Sequence, residues 1–148
     1  MPEELSQIKI NYGPFKALGI WFAKTQSEII DLNLTNRLKK MESMLAIWRA
    51  RKLSIKGKIC VIRSIILPQI QFLFNMIYIP NDILKKIDIM LFQFIWNNKS
   101  AKIKRNTLTT PIIDGGLGMI DIYKVHDTAK SSWIIRLYTL NGKHCSKL

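Results

Sequence analysis

The chain has 148 residues, 48% hydrophobic and 22% charged, which suffices for one domain with a core but not for two full ones. Its 23 lysines and arginines stand against 10 acids, giving a formal net charge of +13. This composition excludes the disordered class, and so large an imbalance points to a polyanionic partner, with nucleic acid ahead of an anionic membrane.

Residues 7–22 alternate loosely through Ile8, Ile10 and Tyr12, pass Gly13-Pro14, and resume in Phe15-Lys16-Ala17-Leu18-Gly19-Ile20-Trp21-Phe22. The pattern predicts two short strands around a turn. Ser27 is the expected cap of a first helix running to about Arg51, because Ile30, Leu34, Leu38, Met41, Leu45 and Trp48 recur three or four apart. Ser54 should cap a second helix carrying Ile55, Ile59, Ile62 and Ile66, with a kink or restart at Pro68 before Phe72 and Met76. Pro80-Asn81-Asp82 should end it and cap a third, with Ile83, Ile87, Leu91 and Phe94 on one stripe. From Asn97 to Thr110 the chain reads as a basic loop or extended segment. Pro111 and a turn at Gly115-Gly116-Leu117-Gly118 follow, and a last helix is expected from about Tyr123 to Leu140.

The expected architecture is therefore mainly α: an N-terminal β-hairpin, a three-helix bundle, a basic loop segment and a C-terminal helix. The most apolar stretch, residues 65–80, is interrupted by Pro68, Gln69, Gln71 and Asn75, and its 16 residues fall short of the roughly 20 that span a bilayer. No transmembrane helix is expected. With Cys60 and Cys145 as two lone thiols and an acidic N-terminus, the expectation is an intracellular protein without a disulfide framework.

Charge is unevenly placed. No acid occurs between Glu42 and Asp82, whereas Arg49, Arg51, Lys52, Lys56, Lys58 and Arg63 crowd the junction of the first two helices. Lys99, Lys102, Lys104 and Arg105 repeat the pattern between Asp88 and Asp114. Lys56 and Arg63, seven apart, would share one helical face. Such a face suits a phosphate backbone, bound through counterion release and without reading bases. The plainer alternative is a set of solvated helix faces. The four tryptophans could stack on bases, but Trp48 and Trp96 extend apolar stripes and fit a core better.

Catalytic signals are missing. Two-metal phosphoryl transfer needs clustered carboxylates, and the only adjacent acids are Glu3-Glu4. Asp114 and Asp121 are too loosely spaced to name a metal site, His126, His144, Cys60 and Cys145 lack zinc-ligand spacing, and the glycine turn lacks the lysine of a phosphate loop. No catalytic residue, metal ligand or cofactor is assigned to this chain.

The ordered motifs resemble the C-terminal polymerase part of LINE-type, non-LTR retrotransposon reverse transcriptases. Phe15-Lys16-Ala17-Leu18-Gly19-Ile20 looks like that family's primer-grip hairpin. Leu53-Ser54-Ile55-Lys56-Gly57-Lys58-Ile59, Ile66-Leu67-Pro68, Tyr78-Ile79-Pro80 and Phe94-Ile95-Trp96 look like its thumb. Lys102-Ile103-Lys104-Arg105, Pro111 and Gly115-Gly116-Leu117-Gly118 resemble the stretch that follows. The resemblance covers about residues 12–135 and departs from the family at Ala17, usually aromatic, and at Ile120, often proline.

The resemblance implies a hairpin over 1–24, a thumb-like domain over 25–97, and a linker with a terminal helix over 98–148. It implies a fragment of an RNA-directed DNA polymerase, inactive alone, whose catalytic aspartates and magnesium belong to a palm upstream of the grip. Phe15, Leu18 and Gly19 would form the primer grip. Lys16 and the clustered cations named above would hold an RNA–DNA or DNA duplex, and the missing palm and fingers would be protein partners. No membrane partner is expected, and the compartment would be nucleus or cytoplasm. A structural remnant acting only through self-association or protein contacts is the alternative.

Overall fold

The computed structural model describes residues 13–144, with side chains described to residue 139. Its architecture is mainly α with an N-terminal two-stranded antiparallel hairpin. The described residues divide into two compact units, the first ending at Asn36 and the second beginning at Arg37.

In the first unit, β1 (Phe15–Ala17) pairs with β2 (Ile20–Phe22), Phe15 opposite Phe22 and Ala17 opposite Ile20. The turn is Leu18-Gly19, with φ of 50° and 81°, inside the run that the alternation read as the strand after Gly13-Pro14. Two consecutive left-handed residues give a tight turn whose twist matches that of paired strands. The hairpin thus forms within the run predicted as a single strand, and the strand expected at Ile8–Tyr12 lies outside the described residues. Helix α1 (Gln26–Arg49) starts one residue before Ser27. Thr25 precedes it and accepts the Glu28 amide at 3.4 Å, so Thr25 takes the role expected of Ser27.

Asn33, buried on α1, does the work of a third strand. Its Oδ1 accepts the Trp21 amide at 2.9 Å while its Nδ2 donates to the Trp21 carbonyl at 2.8 Å and the Ile29 carbonyl at 2.7 Å. Both main-chain groups of Trp21 are thereby satisfied, as buried backbone requires. An Asn33→Ala substitution should cost about 2 kcal/mol and expose these groups. Faster hydrogen exchange of the Trp21 amide would register it.

In the second unit, α2 (Ile55–Val61), a π-helical segment (Ile62–Ile66) and α3 (Leu67–Met76) follow one another without a break. Ser54 caps α2 as expected, its hydroxyl accepting the Gly57 amide at 3.2 Å. The π segment shows how the helix passes Pro68. The Leu67 amide bonds to the Ile62 carbonyl, five residues back, so the ladder is already shifted where proline withdraws its donor. The kink expected at Pro68 is a π turn just before it. The resulting stretch, Ile55–Met76, has 22 residues and a mean hydropathy of 1.5, so by length and composition one helix could cross a membrane. The sequence estimate counted residues 65–80 and left out the first ten residues of this stretch, 55–64.

Helix α4 (Asn81–Trp96) begins after Pro80, which offers no side-chain cap, and ends at Asn97 and Asn98, both left-handed at φ 51° and 59°. Asparagine tolerates this conformation better than most residues. The segment read as a basic loop contains a short helix, α5 (Arg105–Thr109), with Leu108 buried beneath it. A 3₁₀ turn (Ile112–Asp114) and the predicted glycine turn lead into α6 (Ile122–His144).

Helix α6 packs on α3 and α4, and α4 on α2. Ile59, Ile62, Ile66, Ile70, Leu73 and Phe74 from the long stretch meet a core that includes Leu84, Ile87, Leu91, Phe94 and Ile122. The stripe read from the sequence holds through Ile59, Ile62 and Ile66, but Phe72 and Met76, expected to continue it, are exposed, and Ile70, Leu73 and Phe74 are buried instead. The part of α1 from Arg37 onward is tied to α3 by side chains: the Arg37 guanidinium donates to the Gln69 carbonyl at 3.0 Å.

Candidate nucleic-acid interface

Three of the predicted cations at the helix junction face solvent. Arg51, Lys52 and Lys56 are exposed where α1 gives way to α2, and no acid occurs from residue 43 to residue 81. Arg51 holds its guanidinium 4.3 Å over the Trp48 ring, which fixes the side chain without neutralising it. Arg49 is half-buried, and its Nε has no hydrogen-bond partner.

Lys58 does not belong to this surface. It is 4% exposed, and its ammonium donates to the Ile95 carbonyl at 2.9 Å and to Asn97 Oδ1 at 2.7 Å. A lysine there ties α2 to the end of α4, supplying a donor to a carbonyl at the helix C-terminus, where cations are favoured. Sequence spacing counted it as one more positive charge, although the residue two before it faces solvent and Lys58 itself lies on the stripe next to Ile59. Desolvation, reinforced by the charge of Arg49, holds the Lys58 ammonium below the usual lysine range.

A pH effect follows. The folded form releases the Lys58 proton more readily than the unfolded chain, which keeps it up to about 10.5, so the unfolded chain binds more protons in the window just below that value. Stability therefore rises with pH across this alkaline window. Urea unfolding at neutral and alkaline pH should show the midpoint increasing, with a smaller increase in a Lys58→Met variant.

Arg63 also has a structural tie. It lies in the π segment, not on a straight helix, and its guanidinium donates to the Gly118 carbonyl at 2.7 Å. The seven-residue match with Lys56 assumed an uninterrupted α-helix, which the π turn interrupts. Arg63 stays exposed, so it docks the glycine turn with part of its donor set and leaves the rest free.

Lys99, Lys102 and Lys104 are exposed, and Arg105 is ion-paired with the nearly buried Asp88 while lying 4.5 Å over the Phe92 ring. Asp88 was read as the boundary of an acid-free stretch. In the fold it neutralises Arg105, so the positive charge of this segment rests on the three lysines.

In the first unit, Lys16 is exposed with its ammonium 5.8 Å from the Trp21 ring. Phe15 stacks on Phe22 at 5.4 Å yet remains half-exposed, and Leu18 and Gly19 stand exposed at the turn. An apolar, solvent-facing hairpin tip is therefore available to a partner. Trp96 is buried and Trp48 half-buried, as their stripes indicated, while Trp21 and Trp133 are exposed.

Spacing missed a concave feature. A pocket of about 330 Å³ opens at the end of α4, lined by Phe92, Trp96, Lys99 and Arg105 among others. Its signal was present as Phe92 and Trp96, one helical turn apart, followed by Lys99. Among the described residues no group of three or more His, Cys, Asp or Glu side chains is placed to hold a metal ion. No protein-family model matches the chain.

Proposed function

We propose that this chain grips a template–primer duplex through backbone phosphates, as the primer-grip and thumb portion of a LINE-type reverse transcriptase whose catalysis and magnesium reside in a palm outside it. The observation that carries the reading is the solvent exposure of Arg51, Lys52 and Lys56, and separately of Lys99, Lys102 and Lys104, in stretches that hold no exposed carboxylate. Ammonium and guanidinium groups so placed neutralise phosphates and release counterions, while reading no sequence. Leu18 and Gly19 form the hairpin turn that would face the primer end, with Phe15 and Lys16 on the strand that leads into it.

Fluorescence anisotropy with an RNA–DNA duplex tests this reading. Binding at about 50 mM salt that weakens steeply as salt rises is the expected result. Absence of binding at that salt removes the proposal.

A second reading has its own support. From Trp133 to Thr139 every residue of α6 is exposed, including Ile134, Ile135, Leu137 and Tyr138. An apolar surface of this kind serves protein contacts, and a remnant with no nucleic-acid role would act through it. Light scattering separates the two. Particle growth that increases with salt indicates apolar self-association, whereas duplex binding declines with salt.

A further inference from the structure

The pocket at the end of α4 has features that a phosphate-tracking surface does not need. Phe92 and Trp96 supply aromatic walls, Ala101 leaves its mouth open, and Lys99 and Arg105 stand at its edge. The Arg105 side chain lies over Phe92 and is anchored by Asp88, yet remains 53% exposed. A guanidinium positioned in this way is a stacking surface for a planar ring, because aromatic and arginine planes are what unpaired bases rest on.

Charge narrows the ligand. Asp88 and Arg105 cancel, Lys99 remains, and Lys102 and Lys104 continue the positive segment outward. The ligand should therefore combine a flat ring with an adjoining anion. At about 330 Å³ the pocket lies at the small end of the range of roughly 300–1,000 Å³ typical of ligand sites, suited to one ring system.

We propose that this pocket binds a single unpaired nucleobase, stacked on the Arg105 guanidinium that covers the Phe92 ring, with its phosphate on Lys99. The inference rests on the nucleic-acid reading above and adds to it a preference for duplexes that carry a single-stranded extension.

Three ligands test it by anisotropy: a blunt RNA–DNA duplex, the same duplex with a short single-stranded overhang, and that overhang made abasic. The overhang should tighten binding roughly tenfold over the blunt duplex, in keeping with about 1–3 kcal/mol per stacked base. The abasic overhang, which keeps the phosphates, should lose most of that gain. Ala101→Trp, at an exposed position on the pocket mouth, should abolish the gain while leaving blunt-duplex affinity unchanged, and Lys99→Ala should reduce it.

An abasic overhang that binds as well as the intact one overturns the pocket, as does a gain that survives Ala101→Trp. Blunt-duplex binding with no gain from any overhang overturns the pocket alone. No binding to any of the three overturns both the pocket and the duplex-gripping reading.

Discussion

Replacing Gly116 by alanine should lower the unfolding free energy by about 3 kcal/mol, at the upper end of what an inserted methyl costs in a packed site. A Cβ at this buried glycine would run into the main-chain carbonyl of Thr110, which is backbone and cannot swing aside as a flexible side chain would. The surrounding segment has little slack. Gly116 donates to the Pro111 carbonyl at 2.9 Å, Leu117 to Thr107 at 3.1 Å, Gly118 to Thr110 at 2.9 Å and Met119 to Leu108 at 2.8 Å.

Moving Thr110 aside would disturb several of these bonds and, through the Gly118 carbonyl, the Arg63 anchor. In a chain of this size the expected loss in Tm is on the order of 6–12 °C. Gly115→Ala gives the comparison. Gly115 has a φ of 81° but open space around its missing side chain, so only the backbone strain of about 1 kcal/mol applies. Equal melting temperatures for the two variants would contradict the packing assigned to Gly116.

Lys58→Ala should also destabilise, by about 3 kcal/mol, and for a different reason. It removes two hydrogen bonds from a cationic donor, leaves the Ile95 carbonyl without that partner, and empties the space of the buried aliphatic stem. Lys56→Ala, two residues earlier on the exposed face, should stay within about 0.5 kcal/mol of the parent. Duplex binding should order the pair the other way, because Lys56 presents its charge to a ligand and Lys58 does not. Denaturant midpoints and duplex affinities measured on both variants would show stability following one lysine and affinity the other. A Lys58→Ala protein that is fully stable and binds weakly would reverse the assignment.

The contrast between these lysines shows where sequence patterns carried the fold and where they stopped. Apolar periodicity located α1, the α2–α3 stretch and α4, because a buried helical face repeats every three to four residues whatever its partner. The Ser54 cap was legible because its partner lies three residues away on the same chain.

Contacts distant in sequence left no such pattern. Asn33 pairs with Trp21 across 12 residues, Lys58 with Ile95 across 37 and Arg63 with Gly118 across 55. A charge count therefore overstated the cationic surface by including Lys58, and it missed the pairing of Arg105 with Asp88. Local geometry misled in two other places. The run after Gly13-Pro14 alternated like one strand, yet Leu18-Gly19 folds it into a hairpin. Pro68 looked like a break, yet the π segment before it absorbs the missing donor.

The salt dependence of duplex affinity probes phosphate gripping most directly when the parent is compared with a Lys52→Ala, Lys56→Ala double variant. Each lost contact should flatten the log–log slope by roughly 0.9, so the variant should be shallower by nearly two while melting like the parent. Identical slopes for the two proteins would mean that these lysines touch no phosphate, and the duplex would have to be held elsewhere or not at all.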